Sequence, residues 1–199
     1  ERKAYMSPSI IPANRLKKIL REGKSAIGTM IVEIRQPSVT QVMANAGLDF
    51  VIIDNEHGAF NIETICDLSR AARQVGVTPV VRVPEWSYAH IVQPLDAGAQ
   101  AIMAPRITEP QQVKEILQMM KYPPLGRRGS VVARGHTDLK SGSIVDTMRD
   151  ANEESMLVVQ IETKQALERM DEILSVEGVN VALVGPTDLL RRLLAGIEL

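Results

Sequence analysis

Six short apolar runs rich in β-branched residues punctuate the chain at nearly even intervals. They are AIGTMIVEI (26–34), FVIID (50–54), TPVVRV (78–83), AIMAPRI (101–107), MLVVQIE (156–162) and VALVG (181–185). Continuous apolar runs of this length suit strands buried on both faces, as in a parallel sheet. Helical patterns fill the gaps, at 37–47, 61–76, 87–99, 109–124 and 163–178. The second opens on Asn61, a residue suited to capping a helix start. The third carries Pro94, which predicts a kink or an end there. The polar, Gly-rich stretch between the fourth and fifth runs predicts a long loop followed by a helix near 142–153. Strand alternating with helix implies right-handed βαβ units and a single α/β domain over 1–199.

Two architectures fit this rhythm, an open doubly wound sheet and a closed (β/α)8 barrel. The first should carry a G-x-G-x-x-G turn after its first strand, and none is present. Polar residues instead fall at the C-terminal end of nearly every run: Asp54, Glu56 and His57, then Arg82, Arg106, Gln160 and Glu162, and Asp188. Many strands contributing to one rim is the barrel pattern, with the active site at that rim. Only six of eight strands are visible. The chain is therefore expected to continue for about 50–60 residues, or to take the missing strands from another chain, because closure is what removes exposed sheet edges.

Bulk properties narrow the function. A formal net charge of −1 and 3% aromatic residues argue against a nucleic-acid binder, which needs basic excess and stacking surfaces. Cys66 is the only cysteine, so it reads as a small buried residue and no multi-cysteine metal site can form. No run reaches transmembrane length and no signal-peptide core is visible, so a cytoplasmic location is expected.

Side chains alternate along a strand, so Gln160 and Glu162 point the same way, as do Asp54 and Glu56. Glu162 and Asp188 would bring two hard oxygen donors from neighbouring strands, which suits a magnesium-like ion completed by water and substrate oxygens. Each carboxylate alone could equally be a cap or a surface charge. His57 is a candidate base by its pKa range, with a structural role as the alternative. Arg82 lies in an apolar context and needs an anion, either a bound carboxylate or an internal salt bridge. His90 and His136 read as structural or solvent-facing, Trp86 as rim packing, and GRRGS (126–130) as a weak anion nest. A Schiff-base aldolase using Lys164 is a rival, opposed by the expectation that IETK turns into its helix before that lysine. A non-catalytic incomplete barrel acting as an assembly partner is a second rival.

Six stretches in order, GLDFVIIDNEHGAFN, VVRVPEW, LDAGAQAIMAPRI, YPPLGRRG, VVQIET and VEGVNVALVGPTDL, resemble the HpcH/HpaI aldolase family. This is a family of metal-dependent pyruvate aldolases that includes 4-hydroxy-2-oxoheptanedioate and 2-keto-3-deoxy-L-rhamnonate aldolases. EHGAFN also looks like macrophomate synthase, a relative that decarboxylates oxaloacetate, and that chemistry is the alternative activity. The resemblance implies a (β/α)8 barrel of the pyruvate/phosphoenolpyruvate-binding type in a homo-oligomer, a trimer or hexamer. It implies a divalent ion (Mg²⁺, Mn²⁺ or Co²⁺) on Glu162 and Asp188, with Gln160 and the backbone of Gly185, Pro186 and Thr187 on the substrate. It further implies His57 as base paired with Asp96, Arg82 against the enolate, and Asp54 and Glu56 in support. The expected partners are a small 2-oxo acid and an aldehyde, with neither nucleic acid nor membrane. TDLL and the tail RRLLAGIEL depart from the family pattern.

Overall fold

The structure, a computed structural model, describes residues 9–131, 133–187 and 189–190. All six apolar runs form strands: β1 (Gly28–Ile31), β2 (Phe50–Asp54), β3 (Thr78–Arg82), β4 (Ala101–Ala104), β5 (Met156–Ile161) and β6 (Val179–Val184). They pair in parallel in the order β1-β2-β3-β4-β5-β6. A doubly wound sheet must reverse its strand order part-way, and this order never reverses. Among the described residues the sheet is a parallel, curled half-barrel of six strands.

The helices are α1 (Arg15–Arg21), α2 (Val39–Asn45), α3 (Ile62–Gln74), α4 (Tyr88–Ala97), α5 (Pro110–Met120), α6 (Ile144–Glu154), α7 (Lys164–Glu168) and α8 (Met170–Leu174), with a short 3-10 turn at Gly135–Thr137. None is long and apolar enough to cross a membrane. Several start at side chains that accept first-turn amides, such as Asn61 for Thr64, Ser143 for Asp146 and Thr163 for Ala166.

Strand alternation divides the core in two. Val51, Ile53, Val81, Ile102, Leu157 and Val159 face outward and pack against Ile65, Leu68, Leu95, Val113 and Ile116 of the helices. Ile52, Val80, Met103, Met156 and Val158 face inward around Leu16 of α1. That helix is tied to the ends where strands begin. The Leu16 amide donates to Thr78 Oγ1 (3.1 Å), and Asn14 Nδ2 donates to the carbonyls of Gln100 (3.0 Å) and Glu154 (2.9 Å). α1 thus covers the N-terminal mouth and leaves the C-terminal one to the polar residues.

Three expectations need correction. α4 runs through Pro94 to Ala97, giving up the one bond that an amide at position 94 would make to the carbonyl four residues back. The Pro94 carbonyl is used, accepting from Gly98 (3.1 Å) and Ala99 (2.9 Å). The helix expected over 163–178 is two helices, broken where Arg169 (φ −109°, ψ 17°) reaches Glu109 at 3.6 Å and Glu172 at 2.7 Å. β6 also starts two residues earlier than the run VALVG.

Asn14 both caps α1, accepting from the Lys17 amide at 3.0 Å, and donates across the mouth. Asn14→Ala should lower stability by about 1–3 kcal/mol in urea or thermal unfolding, since it strands two carbonyls. Asn14→Asp keeps the cap but not the donations, so its rescue should be partial. Full recovery in the Asp variant would show that capping alone holds α1.

Candidate active site

The inward parity of β2 and β3 carries past Ile52 and Val80 to Asp54 and Arg82, which are direct partners in the parallel register. Both are buried, with Asp54 only 1% exposed. The guanidinium grips the carboxylate as a fork, Nε to Oδ1 at 2.8 Å and Nη2 to Oδ2 at 2.6 Å. Its Nη1 lies 3.3 Å from Glu56 Oε2. The internal salt bridge therefore supplies the anion Arg82 needs. Asp54 Oδ1 also accepts from the amides of Glu56 (3.0 Å) and His57 (3.4 Å), which bends the chain back over the strand end. Gly58 is required in that bend, because a Cβ there would lie 2.1 Å from the Asp54 carbonyl oxygen. Burial pushes the Asp54 carboxyl up, but the bonds and charge of Arg82 and the two amides outweigh it and hold it below the usual carboxylate range. Burial likewise works against the Arg82 charge, and Asp54, Glu56 and Glu162 together raise it above its ordinary value.

β5 ends in the second half of the rim. Gln160 Nε2 donates to Glu162 Oε2 at 2.5 Å, as their shared face requires, and both side chains are buried. Gly185, at the end of β6, completes a narrow cradle. A Cβ there would sit 3.0 Å from Glu162 Cβ and 3.2 Å from both Gln160 Nε2 and Glu162 Oε2. Arg106 joins the two halves. Its amide donates to Glu162 Oε1 at 2.7 Å and its Nη1 donates to Glu56 Oε1 at 2.6 Å, while Nη2 reaches the Pro84 carbonyl. It does this from the left-handed region, φ 55°, which a residue other than glycine rarely adopts and which clusters at functional sites. Sequence reading placed Arg106 at a strand end but had no signal for this bridging role.

A divalent ion would find hard oxygen donors here. Glu162 is buried at the rim, and the neighbouring Gln160 Oε1 is buried with no hydrogen-bond partner among the described residues. Asp188, the expected second carboxylate, lies outside the described residues. Among the described residues no group of three or more His, Cys, Asp or Glu side chains is placed to hold a metal; an ion held by one or two carboxylates would be completed by water and substrate oxygens.

The remaining expected residues are less tightly gathered. His57 is exposed at the rim, and Pro186 and Thr187 are exposed beyond β6. Asp96, on α4, accepts from Arg128 Nη2 at 2.6 Å. Lys164 opens α7 on the outer surface, 3.7 Å from Glu168, which removes the basis for a Schiff-base role. His90 pairs with Glu85 (3.1 Å) on an exposed helix start. Trp86 does pack at the rim, its Nε1 donating to the Pro105 carbonyl at 2.8 Å. Cys66 is half-buried, not fully enclosed.

Residues 29–195 match the family described as HpcH/HpaI aldolase/citrate lyase. The chain belongs to that family. The 2-keto-3-deoxy-L-rhamnonate aldolase of Salmonella gallinarum is 36% identical to it over 179 residues, covering 89% of this chain and 66% of the relative. The hydroxypyruvate/pyruvate aldolase of Agrobacterium fabrum is 36% identical over 180 residues, with the same shares covered. The chain thus spans about two thirds of the length of these curated relatives. An HpcH/HpaI aldolase structure from Desulfitobacterium hafniense superposes with a TM-score of 0.87 at 38% identity, covering 91% of this chain and 70% of that one.

For this HpcH/HpaI family member the Asp54–Arg82 fork makes a pH prediction. The folded carboxyl titrates below its unfolded value, so its stabilisation is fully present above the ordinary carboxylate range near pH 3.9 and is lost as pH falls through the depressed folded value. Asp54→Asn should cost about 3 kcal/mol at pH 7, the low end for breaking a buried pair, because Glu56 still faces Arg82. Unfolding measured from pH 7 to pH 3 should show the gap between wild type and variant closing at the acid end. A gap constant with pH would mean the Asp54 carboxylate charge does not stabilise the fold.

Proposed function

We propose that the protein is a divalent-metal-dependent carbon–carbon lyase that cleaves a 4-hydroxy-2-oxo acid to pyruvate and an aldehyde. The observation that carries this reading is the convergence, at the C-terminal ends of β2 to β5, of the Asp54–Arg82–Glu56 cluster and the Gln160–Glu162 pair joined through Arg106. Family membership and the names of the relatives, both aldolases of 2-oxo acids, point the same way.

Glu162, with Asp188 as the expected second carboxylate, would hold the ion, and Gln160, whose Nε2 donates to Glu162, would steady that carboxylate. When bound, the ion supplies Lewis-acid polarisation of the 2-oxo group. Arg82 is oriented by the two-point grip of Asp54, and its Nη1 lies 3.3 Å from Glu56 Oε2. That nitrogen is the one to set against negative charge developing on the pyruvate carbon skeleton as the C–C bond breaks. Gly185 leaves room beside Glu162 for the substrate carboxylate, and the Thr187 amide would donate to that group, Pro186 having no N–H. His57, exposed at the rim, would take the proton from the 4-hydroxyl as the aldehyde leaves and would return a proton to the three-carbon fragment. Arg106 fixes the Glu162 carboxylate through its amide and keeps Glu56 turned toward Arg82.

Pyruvate release from a 4-hydroxy-2-oxo acid, measured with Mg²⁺, Mn²⁺ or Co²⁺ and with chelator, tests the reading. Activity should require the ion, and Glu162→Gln should lower it by 100-fold or more, on the order seen when one electrostatic catalytic contact is removed. Chelator-resistant turnover would exclude a metal mechanism. His57→Ala should slow this cleavage more than it slows oxaloacetate decarboxylation, which takes no proton from a hydroxyl. Equal loss of both would remove His57 as the base.

A further inference from the structure

Just past β4, Arg106 adopts φ 55°, a left-handed backbone that glycine enters freely and other residues rarely. The turn sends its two ends in different directions. Its amide donates to Glu162 Oε1, beyond β5, at 2.7 Å. Its side chain goes back toward β3, to the Pro84 carbonyl and to Glu56 Oε1 at 2.6 Å. A glycine at 106 would take this backbone without strain and keep the amide bond, so neither the torsion nor that bond calls for an arginine. The side chain is 46% exposed, and ion pairs made by exposed side chains contribute little to stability. What is left for the guanidinium is its action on Glu56.

Glu56 is shared between two cations. Its side chain is 7% exposed, with Arg106 Nη1 on Oε1 at 2.6 Å and Arg82 Nη1 near Oε2 at 3.3 Å. The Arg82 contact is the longer of the two. It is also longer than both bonds of the same guanidinium to Asp54, 2.8 and 2.6 Å. Among the described residues these two arginines are the only cations within ion-pair distance of Glu56. A buried carboxylate that loses one partner is driven onto the other, because an uncompensated buried charge is costly. Without Arg106, Glu56 would close on Arg82 and occupy Nη1, the nitrogen with which Arg82 faces the reacting centre.

We propose that Arg106 is a positioning residue that holds Glu56 back from Arg82 and so keeps the Arg82 Nη1 donor available to negative charge on the substrate. This rests on the assignment of Arg82 to the charge that develops as the C–C bond breaks. Arg106 touches no reacting atom, and its effect passes through Glu56. Its strained backbone serves to place an amide against Glu162 and a guanidinium against Glu56 from one residue, and strain held at a functional site for such a purpose trades against stability. Arg106→Gly should therefore fold as well as wild type and work less well.

Arg106→Gly and Arg106→Gly/Glu56→Gln test this in three measurements. Thermal unfolding of the single variant should give a Tm no lower than wild type. Its crystal structure should show Glu56 Oε2 closed to about 2.8 Å from Arg82 Nη1. Its metal-dependent pyruvate release should show kcat down by about 10-fold or more with KM changed by less than about 3-fold, the pattern of a contact made in the transition state. Adding Glu56→Gln should then raise kcat at least about threefold, because a neutral amide cannot neutralise Arg82 and the two substitutions are coupled. An unchanged Glu56–Arg82 distance in the single variant, or a double variant no faster than the single, would overturn the proposal. A Tm well below wild type would assign the side chain to the fold and overturn it too. Wild type without metal-dependent pyruvate release would instead sink the reading of the rim, and the Glu56–Arg82 distance would still decide the claim about Arg106.

Discussion

The fork between Arg82 and Asp54 is the interaction on which the rim depends. A guanidinium buried at a strand end must have its charge answered at once, and the two hydrogen bonds it donates to the Asp54 carboxylate on the adjacent strand do so. The same carboxylate then accepts two backbone amides, which sets the bend that carries Glu56 and His57. Glu56 in turn meets Arg106, and Arg106 meets Glu162. The chemistry of β5 is thus placed by a chain of charge contacts that begins between β2 and β3.

Winding explains why that chain can exist. Each crossover returns to the next strand along, so the inner face is shared by all six strands and is graded from apolar to polar along its length. At one end Leu16 closes an apolar pocket of about 200 Å³ with Ile52, Val80, Met103, Val158 and Leu183. Two residues further along the same strands, the inward positions become Asp54, Arg82 and Gln160. Above the apolar floor Asp54, Arg82 and Gln160 are buried, and buried fixed charges act more strongly than charges in water.

Much of this was legible in the sequence because it follows from short-range rules. Alternation along β5 requires Gln160 and Glu162 to share a face, and their hydrogen bond realises it. Asp54 and Glu56 do both face Arg82, but β2 ends at Asp54 and it is the bend held by the Asp54 carboxylate, not alternation, that turns Glu56 there. What was not legible depends on distant pairing or on backbone torsion. Arg82 had two possible anions, and only the β2–β3 register selects Asp54. Arg106 bridges the rim from a left-handed conformation that no composition signal announces. Asp96 meets Arg128 because a long connection folds back on α4, which also buries His136, a residue whose loop position suggested exposure or a plain structural role.

The most direct test of the rim as a metal-dependent catalytic centre is an anomalous diffraction map of Mn²⁺-loaded crystals with pyruvate or oxalate added. The expected result is one strong manganese peak within coordinating distance of Glu162, with the added acid between it and Arg82. A peak at another place, or none in crystals whose dissolved protein still releases pyruvate, would contradict the assignment of this rim.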